Sequence, residues 1–320
     1  MCALPYELPF HARVKRNQRE SSEGRKHLSL TVRHRTKHFA SLTPRSVSPM
    51  HWPKHRVELS FPQGSSRPPV RFHHHVKTAN NQMRATAHPR DGFRNRILKR
   101  LPTAVIRRLR KGMRLVELTQ WDALYEPHER CKYVYFPETG MASILSVLKD
   151  GTMTEVSTVG NEGMVGLPVF FGAKTSARRA FWQVQGSAYR MDAAVLRRET
   201  RKCGALSEAL LRYTQALFTQ VSQLATCNRL HTIEQRCCCW LLLTHDRVKG
   251  NEFDLTHEFL SQMLGTRRAG VTEIAAALQR AGLIGHTRGR ITILNRRGLE
   301  KRACECYGIV RGEFDRLMGI

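Results

Sequence analysis

Apolar residues are scattered without a period up to about residue 90 and recur regularly after it. The first stretch holds most of the prolines and histidines, is rich in Arg and Ser, and sustains neither a 3.6-residue nor a 2-residue spacing. Such a segment buries too little to offset its ordering entropy, so disorder is expected over residues 1–90; a translation start placed too far upstream would read the same way. From Asp91, Ile97, Leu98 and Leu101, then Val105, Ile106 and Leu109, fall at helical intervals. Between Leu115 and about Met191 the pattern is that of strands: Cys131-Lys-Tyr-Val-Tyr-Phe-Pro, Ser143-Ile-Leu-Ser-Val-Leu, Met153-Thr-Glu-Val-Ser-Thr-Val, Ala180-Phe-Trp-Gln-Val-Gln and Ser187-Ala-Tyr-Arg-Met. Turn signals at Glu138-Thr-Gly, Lys149-Asp-Gly, Gly160-Asn-Glu-Gly and Gln185-Gly punctuate them, which predicts an all-β barrel or sandwich.

The period then changes twice. Leu210, Leu217 and Leu224 are seven apart, with Leu206, Tyr213, Val221 and Leu230 near the same stripe, in one Pro-free helix from about Ala205 to Asn228. Packing on its own domain is one use of that stripe; a symmetric dimer seam of Leu210, Tyr213, Leu217, Val221 and Leu224 is the favoured one, because a complete small domain precedes the helix and another follows it. A further helix is expected around Ile233 to Leu243. Thr256 can then cap a short helix with Phe259, Leu260, Met263 and Leu264 on its apolar face, Gly265 permits a corner, and Thr266 can cap a second helix that buries Val271, Ile274, Ala275 and Leu278. Ser261 is small enough to let the two helices approach. Leu283-Ile284, a polar tip around Gly289, and Ile291-Thr-Ile-Leu alternate like a hairpin. This is the pattern of a helix-turn-helix with a β-wing.

Charge gives the pattern a partner. The 320 residues carry 53 Lys+Arg against 26 Asp+Glu, a formal net charge of +27, which draws the chain to polyanions, nucleic acid first and anionic membrane second. On the second helix Arg267, Arg268, Ala269 and Glu273 face outward as candidates for base contact, while Thr256, Thr266, Thr272, Arg288 and Arg290 are placed for phosphates. A basic arm over residues 1–90 would add unspecific DNA affinity; its run His73-His74-His75 lacks a fourth ligand and second shell for a metal. No stretch reaches the ~20 apolar residues of a membrane span, and the N-terminus lacks signal-peptide order, so a cytoplasmic protein is expected. The nine cysteines are expected to be reduced and to hold no metal: consecutive Cys237, Cys238 and Cys239 project about 100° apart on a helix, and Cys304 and Cys306 lack a second pair at zinc-like spacing. Gly172-Ala-Lys174-Thr175 has the wrong spacing for a phosphate loop, and no triad or carboxylate pair stands out, so neither an enzyme nor a cofactor is expected.

Small β domain, long helix and winged helix-turn-helix, in that order, resemble the Crp/Fnr family of regulators over about residues 91 to 305, most specifically from Leu255 to Leu294. The resemblance implies an α+β chain. A jelly-roll-like, cyclic-nucleotide-binding-like β-roll sensor would occupy residues 91–204, a dimerisation helix 205–230, a Crp-type winged helix-turn-helix 231–305, and a C-terminal tail 306–320. It implies a homodimeric transcription regulator on a palindromic operator in double-stranded DNA, with RNA polymerase as a further candidate partner. A ligand or redox sensor acting through a protein partner is the alternative. The effector pocket would include Gly166, Arg178 and Arg179, yet no Glu follows Gly166 and Ala180 stands where the family's cyclic-AMP binders have Ser, so cyclic AMP is not the expected effector. Nor does a cysteine cluster precede Cys131 as in the family's iron-sulfur oxygen sensors.

Overall fold

The structure, a computed structural model, describes residues 85–86, 92–248 and 250–319. The expectation for residues 1–90 therefore lies outside the described residues, His73 to His75 included, except at Ala85–Thr86: these pair as a short strand β1 and depart from it. In chain order follow α1 (Arg96–Lys99), α2 (Thr103–Arg110), β2 (Met113–Leu118), β3 (Ala123–Tyr125), β4 (Tyr133–Val147), β5 (Met153–Val159), α3 (Leu167–Phe170), β6 (Arg179–Asp192) and α4 (Ala193–Thr200). Then come α5 (Ala205–Leu230), α6 (Ile233–His245), β7 (Glu252–Asp254), α7 (His257–Met263), α8 (Arg268–Arg280), β8 (Ile284–Thr287), β9 (Arg290–Ile293), α9 (Arg296–Arg302) and α10 (Cys306–Met318).

The first six strands form one antiparallel sheet in the order β1-β2-β6-β4-β5, with β3 also on β6. Two expected turns are absent. Glu138-Thr-Gly lies inside the 15-residue β4 and Gln185-Gly inside the 14-residue β6, where the register of the pair shifts. The glycines serve close approach instead: a Cβ on Gly140 would lie 2.4 Å from the Val184 carbonyl oxygen, and one on Gly186 would lie 2.1 Å from that of Thr139. Glu138, beside this bulge, accepts the backbone N–H groups of Arg94 and Asn95, and the buried Asn95 side chain caps α1 while donating to the carbonyls of Pro137 and Gly163. The α1–α2 break falls at Pro102, whose fixed φ starts α2.

Two cores follow. Phe136, Trp182, Tyr189 and Leu196 from the sheet and α4 pack with Leu210 and Tyr213 of α5, and with Val310, Phe314 and Met318 of α10. Residues 306–320, expected to be a tail, are thus mostly a helix: Val310, Phe314 and Met318 are four apart and bury one stripe. The second core joins Cys237 to Leu242 of α6, Phe259 and Leu260 of α7, Val271, Ala275 and Leu278 of α8, and Ile284, Ile291 and Ile293 of the hairpin. Cys237, Cys238 and Cys239 are all buried beside Trp240, the first two as small apolar groups. Leu145 and Phe181 of the sheet enter this second core, and Phe181 stands edge-on to Phe259 at 6.1 Å.

Candidate nucleic-acid interface

Thr256 caps α7 as its position predicts, its hydroxyl accepting the Phe259 N–H at 3.1 Å. Gly265 takes φ +58° at the corner, and Ser261, buried, donates to the Glu258 carbonyl at 2.7 Å. Thr266 does not cap α8. Its N–H is spent on the Ser261 carbonyl at 2.9 Å to close the corner, which moves the N-cap to Arg267, where no side chain caps. Val271, Ala275 and Leu278 are buried and Ile274 half-buried, so the opposite face of α8 carries Arg267, Arg268, Ala269, Thr272 and Glu273 in solvent. Arg268 Nε lies 4.0 Å from Glu258, an exposed pair worth little and easily exchanged for another acceptor. Thr272 turns its hydroxyl to the Arg268 carbonyl at 3.1 Å and sits 3.1 Å from His257 Nδ1.

The hairpin β8–β9 turns at Arg288 (φ +49°) and Gly289 (φ +80°), the positive-φ pair that a two-residue hairpin requires. Sequence pattern missed its third strand, β7, which pairs with β9 in the order β7-β9-β8. That strand places two carboxylates beside Arg290, whose Nε lies 3.2 Å from Asp254 and whose Nη1 lies 3.9 Å from Glu252. All three side chains are exposed, so these pairs, like that of Arg268 with Glu258, are worth little and easily exchanged for another acceptor. Arg288 remains exposed at the tip. The His257 and His286 rings stack at 4.3 Å between α7 and the hairpin; burial, His286 and Arg268 together hold the His257 imidazole below its ordinary range.

The expected seam is divided by the structure. Leu210 and Tyr213 are fully buried inside the chain, Tyr213 near Phe314 at 6.4 Å, and both are corrected as seam residues. A helix apolar on more than one face gives one face to its own domain. The large apolar residues it leaves exposed are Leu211 (51%), Phe218 (67%), Val221 (37%) and, at its end, Leu230 (72%), with Leu217 and Leu224 half-buried at the margin. Beside α5 and α3 the sheet borders an open cavity of about 370 Å³ lined by Gly166, Arg178, Thr175, Ser176, Tyr213 and mostly apolar side chains; no carboxylate among the described residues lines it. Of the three residues named for an effector pocket, Gly166 and Arg178 line this cavity. Arg179 is corrected: it leaves the cavity for Glu126, 3.2 Å from its Nε.

Residues 235–302 match the family model described as the Crp-like helix-turn-helix domain. Among solved structures, a transcriptional regulator of the Crp/Fnr family from Eubacterium rectale is 17% identical, over 63% of this chain and 94% of that one, with a TM-score of 0.52. FixK2 from Bradyrhizobium japonicum is 17% identical over 59% of this chain and 96% of its own, TM-score 0.51. CLP, the c-di-GMP responsive global regulator of Xanthomonas campestris, is 13% identical over 60% and 99%, TM-score 0.50. The chain has the Crp/Fnr fold. No curated protein matches the chain.

Within this Crp/Fnr fold, two buried carboxylates that the sequence pattern passed over fasten the β-roll to the helix-turn-helix domain. Glu162, between β5 and α3, accepts Arg247 Nη2 at 2.7 Å and Nε at 3.0 Å, and Arg247 also donates to the Leu243 carbonyl. Burial pushes the Glu162 carboxyl up, but the Arg247 charge and hydrogen bonds and the Gly160 N–H outweigh it and hold it below the ordinary range. Glu155 of β5 accepts the Trp240 indole N–H at 2.8 Å and meets the Ser143 hydroxyl at 2.7 Å. Ser143 also faces the Gln183 carbonyl oxygen, and one hydroxyl proton cannot serve two acceptors. Every partner is satisfied when Glu155 is protonated, donates to Ser143, and Ser143 donates to Gln183. Burial, opposed by the Ser143 and Trp240 bonds, pushes this carboxyl up to about 7.

Proposed function

We propose that this protein is a sequence-specific, homodimeric transcription regulator that binds a palindromic operator, with α8 in the major groove and the Arg288 hairpin tip over the phosphate backbone. The observation that carries the reading is the solvent face of α8 in a Crp-like helix-turn-helix. Two guanidinium groups there, at Arg267 and Arg268, can each bond to O6 and N7 of guanine, and Ala269 leaves room for a base edge. The formal charge of +27 supports a polyanionic partner. No helix among the described residues is long and apolar enough to cross a membrane, and the reading places the protein in the cytoplasm, acting on DNA and RNA polymerase rather than as an enzyme. Its β-roll cavity lacks a ribose-binding carboxylate, which supports an effector other than cyclic AMP.

The homodimer is assigned to the outer stripe of α5, where Leu211, Phe218 and Ala225 are seven apart and Val221 lies beside them. A 26-residue helix is about 39 Å long, enough for a continuous seam. Burying each Phe218 contributes about 1.5–3 kcal/mol, so Phe218→Glu is expected to shift sedimentation from dimer to monomer at concentrations where the unaltered chain is dimeric. An unchanged dimer would exclude this stripe.

Selection of bound duplexes from random sequence tests the function itself. Two half-sites related by a two-fold axis, with centres about 34 Å or a multiple of one helical turn apart, are expected. No enrichment would favour the alternative in which the β-roll signals through a protein.

A further inference from the structure

We propose that Cys227, His231, Cys304 and Cys306 form a site for a single tetrahedral Zn²⁺ ion, tying the end of α5 to the joint between α9 and α10. Their ligand atoms lie within 4.8 Å of one another, although the two pairs are more than seventy residues apart. Cys227 and His231 are four apart at the end of α5 and share a face; Cys304 and Cys306 flank Glu305. Cys227 Sγ is 3.5 Å from Cys304 Sγ, and Cys306 Sγ is 3.4 Å from His231 Nδ1. A tetrahedron with zinc-sulfur bonds of about 2.3 Å has edges of roughly 3.8 Å, close to these contacts.

The surroundings are those of a ligand set. His231 Nε2 lies 3.4 Å from the Glu305 carboxylate, which orients the ring with Nδ1 toward the sulfurs. Gln223 Nε2 donates to Cys306 Sγ at 3.2 Å, which fixes the position of that sulfur. All three cysteines are buried. Three sulfurs and one imidazole select a borderline-soft ion over magnesium or calcium, and an iron-sulfur cluster, with irons and sulfides between its thiolates, needs a wider cage. On binding, each thiol still protonated gives its proton to solvent and the sulfur lone pair to the ion. The joint so fixed is where the helix leaving the β-roll ends, one residue before the cap of α6 opens the DNA-binding domain. The expectation that these cysteines hold no metal came from spacing along the chain, which does not report on proximity between α5 and the α9–α10 joint.

The test uses the full chain purified under reducing conditions. Elemental analysis is expected to give one zinc per chain, and titration of the metal-free chain with Co²⁺ is expected to give an intense thiolate-to-cobalt charge-transfer band with tetrahedral visible bands, saturating at one equivalent. Cys306→Ser is expected to lose the full band and Cys131→Ser to keep it, while Glu305→Gln lowers zinc affinity about tenfold. If Cys306→Ser does not fold, the cobalt titration of the unaltered chain still decides. An octahedral cobalt spectrum without the charge-transfer band, iron with acid-labile sulfide, or a Cys227–Cys304 disulfide in the chain as purified would overturn the proposal.

Discussion

Arg247→Leu is expected to destabilise the fold by about 3–5 kcal/mol, measured by denaturant unfolding, because it strands the Glu162 carboxylate in the interior. Both side chains are nearly out of solvent, at 6% and 7% exposure, and the pair is bidentate from the arginine to one carboxylate oxygen. An exposed pair of the same geometry would contribute less than about 1 kcal/mol, so burial decides the size of the effect. Replacing both partners removes the stranded charge along with the bond. Glu162→Leu combined with Arg247→Leu is therefore expected to recover at least half the loss. Single variants costing under about 1 kcal/mol, or a double variant costing the sum of the two, would contradict a buried, coupled pair.

A second large effect is expected in the dependence of stability on pH. Glu155 has a folded pKa of about 7 against an ordinary value of 4.5, so the folded chain holds a proton that the unfolded chain has released between those values. The contribution is complete below about pH 4.5, is lost as pH rises through about 7, and is flat above; the span corresponds to about 3 kcal/mol. Glu155→Gln keeps a donor for Ser143 and an acceptor for Trp240 without titrating. The unaltered chain should lose stability relative to this variant between pH 5 and pH 8, and parallel profiles for the two proteins would rule out a protonated Glu155.

What could be read in advance follows the range of the interactions involved. The Thr256 cap, the Gly265 corner and the stripe of Val271, Ala275 and Leu278 are local, so the helix-turn-helix was legible residue by residue. Thr266 is the exception: a threonine before a helix suits a cap, but the backbone of the corner had already taken its N–H. Gly140 and Gly186 read as turns because a glycine required for close packing between strands, and at Gly140 also for a φ of +76° within a bulged strand, looks the same in one dimension as a glycine at a turn. The stripe on α5 was legible as apolar, yet only its packing against the β-roll and α10 decides that Tyr213 turns inward while Phe218 turns outward. Arg290 illustrates the same limit: its carboxylates lie 36 and 38 residues earlier in the chain, on a strand too short to announce itself. The two pairs that gather as Cys227, His231, Cys304 and Cys306 are beyond any local pattern.

The central claim is that α8 reads base pairs, and it is tested most directly by the affinities of the Arg268→Ala and Arg288→Ala variants for the selected duplex and a scrambled one across a salt series. Arg268 is exposed on α8, so its loss is expected to cost about 1–3 kcal/mol on the selected duplex, relax choice at one base pair per half-site, and leave the scrambled duplex nearly unchanged. Arg288 at the hairpin tip should weaken both duplexes alike and make the slope of log affinity against log salt shallower by about 1 per subunit. Equal losses on both duplexes for Arg268→Ala, with base preference altered by Arg288→Ala instead, would contradict the assignment of α8 to the groove.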